Sequence, residues 1–311
     1  MAGGGNNAVR QMIENKVKNV EFYFLNTEKG ILNRANTINV LQIGKETTKG
    51  LGAGANPDVG EKSAIESKEE IKEILQGTDL LFLTSGMGGG TGTGAIPVVA
   101  ELAKEMGITT IGIVTSPFLF EGKQRAIRAK KGIEKLKNNV NSLIIISNDK
   151  LLKTTNNKIS IKNAFKLADD VIEQGIKSIT DIITSIGDVN VDFADIITIL
   201  QYKGMAYMAI GQASGEHRME DAVKQAINNP LTENTIKDAK GIIFNVRANS
   251  NLELNELNDG MNIVNDLISE DANVIFGTTV DETLGDEIIV TVIQPEGKQK
   301  MLASSFVNGF Q

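Results

Sequence analysis

The strongest sign of chemistry in this chain is the run Gly88–Gly94, in which five of seven residues are glycine and two are threonine. The run follows the apolar residues 79–84 and precedes a helical pattern that starts near Ala95, so we expect it to join a strand to a helix. Successive glycines let backbone N–H groups converge on an anion, and the positive end of the helix dipole favours negative charge there. The run therefore predicts phosphate binding and a nucleotide enzyme.

Two other glycine-rich segments also precede predicted helices. Gly3–Asn7 opens the helical pattern Ala8–Lys18, and Gly50–Pro57 precedes a helical pattern over Ser63–Leu75. Each segment alone is consistent with a plain loop or a loose chain end. Segments of this kind, spaced along alternating strands and helices, can line one crevice, so together they favour a shared phosphate site.

Carboxylates occur three residues apart in the segment Asn190–Asp195, at Asp192 and Asp195. Two interpretations are open: Asn190 or Asp192 caps the helix that follows, or the carboxylates orient a water for attack on a terminal phosphate. An amphipathic pattern over 161–185 predicts a long connecting helix, which at 1.5 Å per residue places this segment about 35 Å from the phosphate crevice. Stacking of two chains head to tail would join the two groups, and such contacts produce a filament when they do not close.

Phe165 and Asp169 lie one turn apart on the predicted long helix. A phenylalanine there would normally belong to the core, but a ring beside a carboxylate also suits a flat base. The carboxylate would accept from the N1 and N2 donors of guanine, a pair that adenine does not present. His217, the single histidine, lies in a polar turn and receives no role.

Composition excludes several classes of function. The 311 residues contain no cysteine and one histidine, which excludes disulfides, thiol catalysis and metal sites built from histidines. A net charge of −7 with scattered basic residues argues against nucleic-acid binding. No stretch approaches the ~20 apolar residues of a membrane span, and the amino terminus does not have the layout of a signal peptide, so we expect a cytoplasmic protein without direct membrane insertion.

Strand-like and helix-like segments alternate along the chain, which predicts an α/β fold with a doubly wound, mostly parallel sheet. After the connecting helix we expect a smaller α/β domain with a four-stranded sheet and two helices. The predicted strands are Val20–Leu25, Thr37–Ile43, Leu80–Thr84, Ile108–Val114, Leu143–Ile146, Ala206–Ile210, Gly241–Val246, Asn273–Thr278 and Glu287–Ile293. The remaining predicted helices are Ala95–Met106, Gly122–Leu136, Asp195–Leu200, Met219–Ile227 and Leu254–Leu267.

These motifs resemble the FtsZ family, the bacterial cell-division GTPases of the tubulin superfamily. The motifs that carry the resemblance are Gly3–Asn7, Gly50–Pro57, Gly88–Gly94, Pro117–Arg125 and Asn190–Asp195, in the order of the family. The resemblance implies a Rossmann-like GTP-binding domain over 1–160 and a central helix over 161–186. It further implies an activation and polymerisation domain over 187–297 and a short tail over 298–311.

The resemblance also assigns roles to individual residues. Phosphate contacts are implied for Gly3, Gly4, Gly5, Asn6, Asn7, Gly88, Gly89, Gly90, Thr91, Gly92 and Thr93, and sensing of the γ-phosphate for Ala53, Gly54 and Ala55. Ribose contacts are implied for Glu121 and Arg125, and guanine recognition for Asn148, Phe165 and Asp169. Asn190, Asp192 and Asp195 would enter the site of a neighbouring subunit and polarise the attacking water near Mg²⁺.

The chain departs from the family pattern in three places. Where the family has an apolar strand ahead of the first glycine run, this chain has Met1-Ala2, so we expect a displaced start or a shortened chain, unpaired neighbouring strands and a slot in the core. Three positions carry residues other than those common in the family, namely Ser116, Ser147 and Lys150. We expect the fold to tolerate these differences. The linker and anchor peptide of the family do not occur before Gln311, so the sequence does not support capture by membrane-tethering partners.

The resemblance implies a Mg²⁺-dependent GTPase that polymerises with itself into the division ring at mid-cell and meets other cell-division proteins there. One alternative is a nucleotide-binding filament protein with little GTP turnover. Another is a dinucleotide-dependent oxidoreductase that uses Gly3–Asn7. That motif normally needs an acidic residue at the end of the second strand, where this chain has Asn26-Thr27.

Overall fold

A computed structural model of the chain describes residues 2–33, 39–154, 159–184, 191–200, 204–229, 239 and 241–295. The first half comprises α1 (Ala2–Glu14), β1 (Tyr23–Asn26), α2 (Lys29–Leu32), β2 (Asn39–Gln42), α3 (Lys45–Thr48), α4 (Pro57–Glu66), α5 (Lys68–Leu75), β3 (Leu80–Gly86), α6 (Thr91–Glu105), β4 (Thr109–Ser116), α7 (Lys123–Lys137), β5 (Ser142–Ser147) and α8 (Asn148–Lys153). The second half comprises α9 (Ile161–Thr184), α10 (Phe193–Leu200), β6 (Gly204–Ser214), α11 (Arg218–Ile227), β7 (Gly241–Ala248), α12 (Leu254–Asn265), β8 (Asn273–Val280) and β9 (Glu287–Pro295).

The central sheet has the strand order β3-β4-β5-β6-β9-β7-β8. Strands β3 to β6 are parallel, and β9 runs antiparallel to both β6 and β7. The predicted α/β class, with a mostly parallel sheet and a further four strands, is confirmed. Those four strands do not form a separate sheet, however, because β6 continues the first half through the pairs Ser142↔Gly204 to Ile144↔Ala206.

Both faces of the parallel strands are covered by helices. Val114 and Leu143 belong to the apolar cluster that contains α5 and α6. Ile113 and Ile144, their neighbours along β4 and β5, point to the opposite face and belong to the cluster that contains α9. Strands covered on both sides must be apolar on both sides, which explains their continuous hydrophobic runs.

A slot separates β1 from β3. Strand β1 pairs with β2 and strand β3 with β4, and in the described part of the chain no strand pairs with the edges that face each other. Between those edges lies a cavity of about 470 Å³. Its lining includes Leu25 of β1, Leu83 of β3, Val9 and Met12 of α1, and Ile176 of α9. This slot agrees with the expectation drawn from the apolar strand of the family.

Several predicted boundaries were wrong. Helix α1 begins at Ala2 rather than Ala8 and ends at Glu14, so Gly3–Asn7 form its first turns and not a loop. Helix α6 likewise begins at Thr91, inside the glycine run. The predicted helix 63–75 is two helices, α4 and α5, and α4 begins at Pro57, where the Asn56 side chain caps the backbone N–H of Asp58 at 3.0 Å. Glycine lowers helix propensity without forbidding the helix, and tertiary packing decides the outcome here.

Candidate functional site

The three glycine-rich segments meet at the carboxyl edge of β3. A Cβ placed on Gly90 would lie 2.8 Å from the Cβ of Ala53 and 2.8 Å from the backbone nitrogen of Asn56. On the other side, a Cβ on Gly5 would overlap the backbone carbonyl of Thr84 in β3. Only residues without side chains allow such close approach of one backbone to another. The predicted convergence of these segments on one crevice is therefore confirmed.

The run after β3 forms an open cradle at the amino end of α6. Gly88 has φ +101° and donates its backbone N–H to Thr93 Oγ1 at 2.7 Å, while its carbonyl accepts from Arg128 Nε at 3.1 Å. A Cβ on Gly89 would meet no atom within 4 Å, so one side of the run is open. Open backbone beside the positive end of a 15-residue helix suits an anion such as phosphate.

Three buried asparagines carry polar atoms without a hydrogen-bond partner. Asn6 on α1 is 2% exposed, and both its Oδ1 and its Nδ2 are unpaired. Asn148 Oδ1, at the start of α8, and Asn26 Nδ2, at the end of β1, are unpaired as well. Unpaired buried polar groups are rare because each costs about 1–3 kcal/mol. A polar ligand at this edge of the sheet would satisfy them.

An aromatic cluster lies beside the cradle. The Phe165 ring meets Phe118 edge to face, with centroids 5.1 Å apart, and meets Phe120 at 6.4 Å. Phe165 remains 39% exposed, so it can accept a flat group on its free surface. One turn along α9, burial raises the pKa of Asp169 to about 7, with a further contribution from the neighbouring charge of Asp170. A ligand that donates hydrogen bonds to this carboxyl would stabilise its charged form and lower its pKa.

Glu121 and Arg125 interact in the segment that follows β4. Their side chains form an ion pair at 3.0 Å, and Glu121 also accepts from the backbone N–H of Phe118 at 3.0 Å. Arg125 lies against the cradle, because a Cβ on Gly88 would lie 2.6 Å from Arg125 Cγ. The pair thus links the aromatic cluster to the glycine run.

The predicted carboxylates lie at the start of α10. Asp192 Oδ1 accepts from the backbone N–H of Ala194 at 3.2 Å, so the capping interpretation is confirmed for Asp192. Asp192 and Asp195 are both exposed. Helix α10 begins at Phe193, two residues earlier than predicted, and Asn190 lies outside the described residues.

Helix α9 separates these carboxylates from the cradle. Its first turns carry Phe165, which contacts the rings after β4 at the carboxyl edge of the sheet. Its last residues, Ile183 and Thr184, line the slot together with Leu80, at the amino end of β3. The 24 residues of α9 correspond to roughly 36 Å. One chain therefore does not bring Asp192 or Asp195 to the glycine run.

Three residues at this edge had no predicted role. The hydroxyl of Thr27 lies 2.6 Å from that of Thr91, and this buried contact connects the end of β1 to the first residue of α6. Phe118 and Phe120 complete the aromatic cluster, with stacked rings 5.1 Å apart. The sequence could have identified Thr27 by its position just after a strand, because the carboxyl ends of parallel strands share one edge of the sheet.

The described residues contain neither a cluster of metal ligands nor a membrane-spanning helix. No group of three or more histidine, aspartate or glutamate side chains among them could hold a metal ion. None of the helices within the described ranges is long and apolar enough to cross a membrane.

Comparison with known proteins identifies the relatives of this chain. Residues 2–156 match the Tubulin/FtsZ family, GTPase domain, and residues 204–296 match the FtsZ family, C-terminal domain. A solved FtsZ dimer from M. jannaschii, without ligand, is 38% identical with TM-score 0.90 and covers 94% of this chain and 85% of its own. The FtsZ W319Y mutant from the same organism is 37% identical with TM-score 0.90, and the match covers 95% of this chain and 89% of the mutant chain. CetZ2 from Haloferax volcanii, a GTPγS-bound protofilament, shares the fold at 18% identity and TM-score 0.79, and the match covers 99% of this chain and 94% of the CetZ2 chain.

Proposed function

Because this chain belongs to the Tubulin/FtsZ family, we propose that it binds GTP and hydrolyses it between stacked subunits. The observation that carries the proposal is the convergence of the glycine-rich segments beside the unpaired side chain of Asn6. Membership of a GTPase family also favours this reading over the dinucleotide-dependent oxidoreductase.

The crevice divides into regions that suit the parts of GTP. Gly3–Asn7 and Gly88–Thr93 would hold the phosphates, and Ala53, Gly54 and Ala55 would face the terminal one. Glu121 and Arg125 would contact the ribose, while Phe165, Asp169 and Asn148 would recognise guanine through stacking and through the unpaired Asn148 Oδ1.

Mg²⁺ fits this site as an ion that arrives with the triphosphate. It usually keeps several waters and takes few protein ligands beyond phosphate oxygens, so the site needs no acidic cluster. The hydroxyl of Thr91, at the amino end of α6, is an oxygen ligand of the right kind. Bound Mg²⁺ would neutralise charge that develops on the phosphates.

The carboxylates would act on the neighbouring subunit. The length of α9 supports this, because it separates Asp192 and Asp195 from the cradle of their own chain. In a head-to-tail pair, Asn190, Asp192 and Asp195 of one subunit would orient water against the γ-phosphate held by the next. Repetition of that contact gives a filament, which we assign to the division ring at mid-cell, with other cell-division proteins as partners.

Mixing two inactive variants tests this function. Asn6→Leu should fold, since its polar atoms have no protein partner, but should not hold GTP. Asp195→Ala should bind GTP without turning it over, whereas Asp271→Ala, which removes another exposed acid, should keep the parent rate. A complete site needs the cradle of the Asp195→Ala subunit and the carboxylates of the Asn6→Leu subunit. Random stacking in an equal mixture gives this arrangement at about one interface in four, so we expect phosphate release at about a quarter of the parent rate.

Two outcomes would contradict the proposal. A turnover rate per subunit that stays constant on dilution would refute the shared site. A parent rate that is already slow, and that Asp195→Ala leaves unchanged, would instead favour a nucleotide-binding filament protein with little GTP turnover, an alternative supported by the use of Asp192 as a helix cap.

A further inference from the structure

A polar cluster joins α1 to α9 away from the crevice. Glu173 is 8% exposed, and its two carboxylate oxygens accept from Asn15 Nδ2 at 2.8 and 2.9 Å. Gln11 Nε2 donates to the same carboxylate at 2.9 Å and also to Asp170. Hydrogen bonds to carboxylates are shorter and stronger than those between neutral groups. The cluster therefore fixes one helix relative to the other.

Each helix in this contact carries one half of the candidate site. The first turns of α1 contain Gly4, Gly5 and Asn6, and its last turn approaches Asn15. On α9, Asp169 lies four residues before Glu173, which places the two side chains on the same face. Any shift of α1 along α9 would thus change the spacing between phosphate-binding and base-binding residues.

Apolar packing also holds α1, but hydrophobic contact is non-directional. At its amino end, Gly5 lies directly against the carbonyl of Thr84, so closely that a side chain would not fit. Along its middle, Val9 and Met12 line the cavity of about 470 Å³ and also belong to the buried apolar cluster that contains Ile172 and Ile176 of α9. The hydrogen bonds of Gln11 and Asn15 add a directional restraint on the position of the helix along α9.

We propose that Glu173 is a positioning residue for nucleotide binding, which holds α1 in the register that lets one ligand reach both Asn6 and Asp169. This inference rests on the proposed function, because it assumes that GTP spans those two residues. It assigns Glu173 no contact with the ligand.

The test exchanges donor and acceptor in the hydrogen bond between Asn15 and Glu173. Asn15→Asp places a second carboxylate against Glu173, and the repulsion should weaken binding of a fluorescent GTP analogue about tenfold, since small misplacements at a site cost that much or more. Adding Glu173→Gln restores the pair in reverse, because the amide introduced on α9 donates to the carboxylate introduced on α1. The double variant should return the dissociation constant to within about threefold of the parent. Amide hydrogen exchange of residues 2–7 should rise in the single variant and fall back in the double variant.

Glu256→Gln is the matched control. It neutralises another partly buried, hydrogen-bonded carboxylate, but on α12, and should lower the melting temperature without changing GTP affinity. If Asn15→Asp does not fold, Asn15→Ala removes the donor without adding charge and should weaken binding to a smaller degree.

The outcomes separate the two proposals. If the parent chain binds no GTP, the proposed function fails and this inference fails with it. If the parent binds GTP and the Asn15 variants bind it equally well while losing only thermal stability, Glu173 is merely structural and the inference alone is overturned.

Discussion

Gly90 and Ala53 approach so closely that a Cβ on Gly90 would lie 2.8 Å from the Cβ of Ala53. Real side-chain carbons do not come this near, so Gly90→Ala must displace the 50–57 segment. We expect a loss of about 1–3 kcal/mol in the free energy of unfolding and at least about a tenfold loss of GTP affinity. Chemical denaturation and equilibrium binding measure the two effects.

Gly30→Ala is the control for this substitution. A Cβ there would have its nearest neighbour at 4.0 Å, and Gly30 lies in α2, where alanine favours the helix. Its stability should match or exceed that of the parent. Equal effects of the two substitutions would show that the contact with Ala53 does not matter.

Asp169 should make GTP affinity depend on pH. Burial raises the pKa of its carboxyl to about 7, and the N–H donors of guanine favour the charged form. Affinity should therefore be high above that pKa and fall about tenfold as the pH drops from about 8 to about 6. Binding measured across this range, under conditions without assembly, tests the expectation.

Asp169→Asn should abolish that pH dependence and weaken GTP binding. The asparagine amide donates where the carboxylate accepts, so the variant should gain affinity for xanthosine triphosphate, which presents a carbonyl at the same ring position. Without ligand, the parent should lose stability as the pH rises from the ordinary pKa of an aspartate towards 7, because the folded state retains the proton longer. An unchanged pH profile in Asp169→Asn would assign the dependence to another group.

The slot between β1 and β3 should accept an added strand. Helix α1 begins at Ala2 beside the carboxyl end of β3, so residues joined ahead of Ala2 could run through the slot between the two strand edges. Five apolar, β-branched residues there should raise the free energy of unfolding by more than about 3 kcal/mol, since they would fill apolar volume and pair with strand edges that no described strand covers. Urea denaturation measures the gain.

A second extension of equal length with alternating proline and aspartate is the control. Proline lacks a backbone donor and aspartate resists burial, so this extension should add no stability. Equal gains from both extensions would mean that neither occupies the slot.

Arg218 should stabilise the second half of the chain. It donates to both oxygens of Glu256, at 2.8 and 3.0 Å, and lies 3.2 Å from Asp286. Removing Arg218 leaves the partly buried carboxylate of Glu256 without its partner, so Arg218→Met should cost about 1–3 kcal/mol. Denaturant midpoints at neutral pH, with Lys224→Met as an exposed control, provide the comparison.

The same pair predicts acid sensitivity. The hydrogen bonds from Arg218 hold the pKa of Glu256 below its ordinary value. The resulting stability is present above the unfolded pKa and is lost as the pH falls through the lower folded value. Arg218→Met should therefore show a flatter decline of stability in acid, and a decline as steep as that of the parent would contradict the role of this pair.

The sequence by itself determined the α/β class, the position of Gly88–Gly94 between a strand and a helix, and the long helix that separates this glycine run from Asp195. These follow from local rules: hydrophobic period, glycine's backbone freedom and the rise per residue of a helix. The sequence did not predict that helices begin at Ala2 and Thr91, because glycine-rich segments have weak helix propensity and packing decides their conformation.

Only the tertiary structure decided which distant residues meet. The contacts of Thr27 with Thr91, of Phe118 with Phe165 and of Asn15 with Glu173 join segments far apart in sequence, so no local pattern encodes them. Likewise, the type of residue 169 sets its ordinary pKa, but burial in the fold raises that pKa to about 7. Strand order and packing bring these groups together, and both are properties of the whole chain.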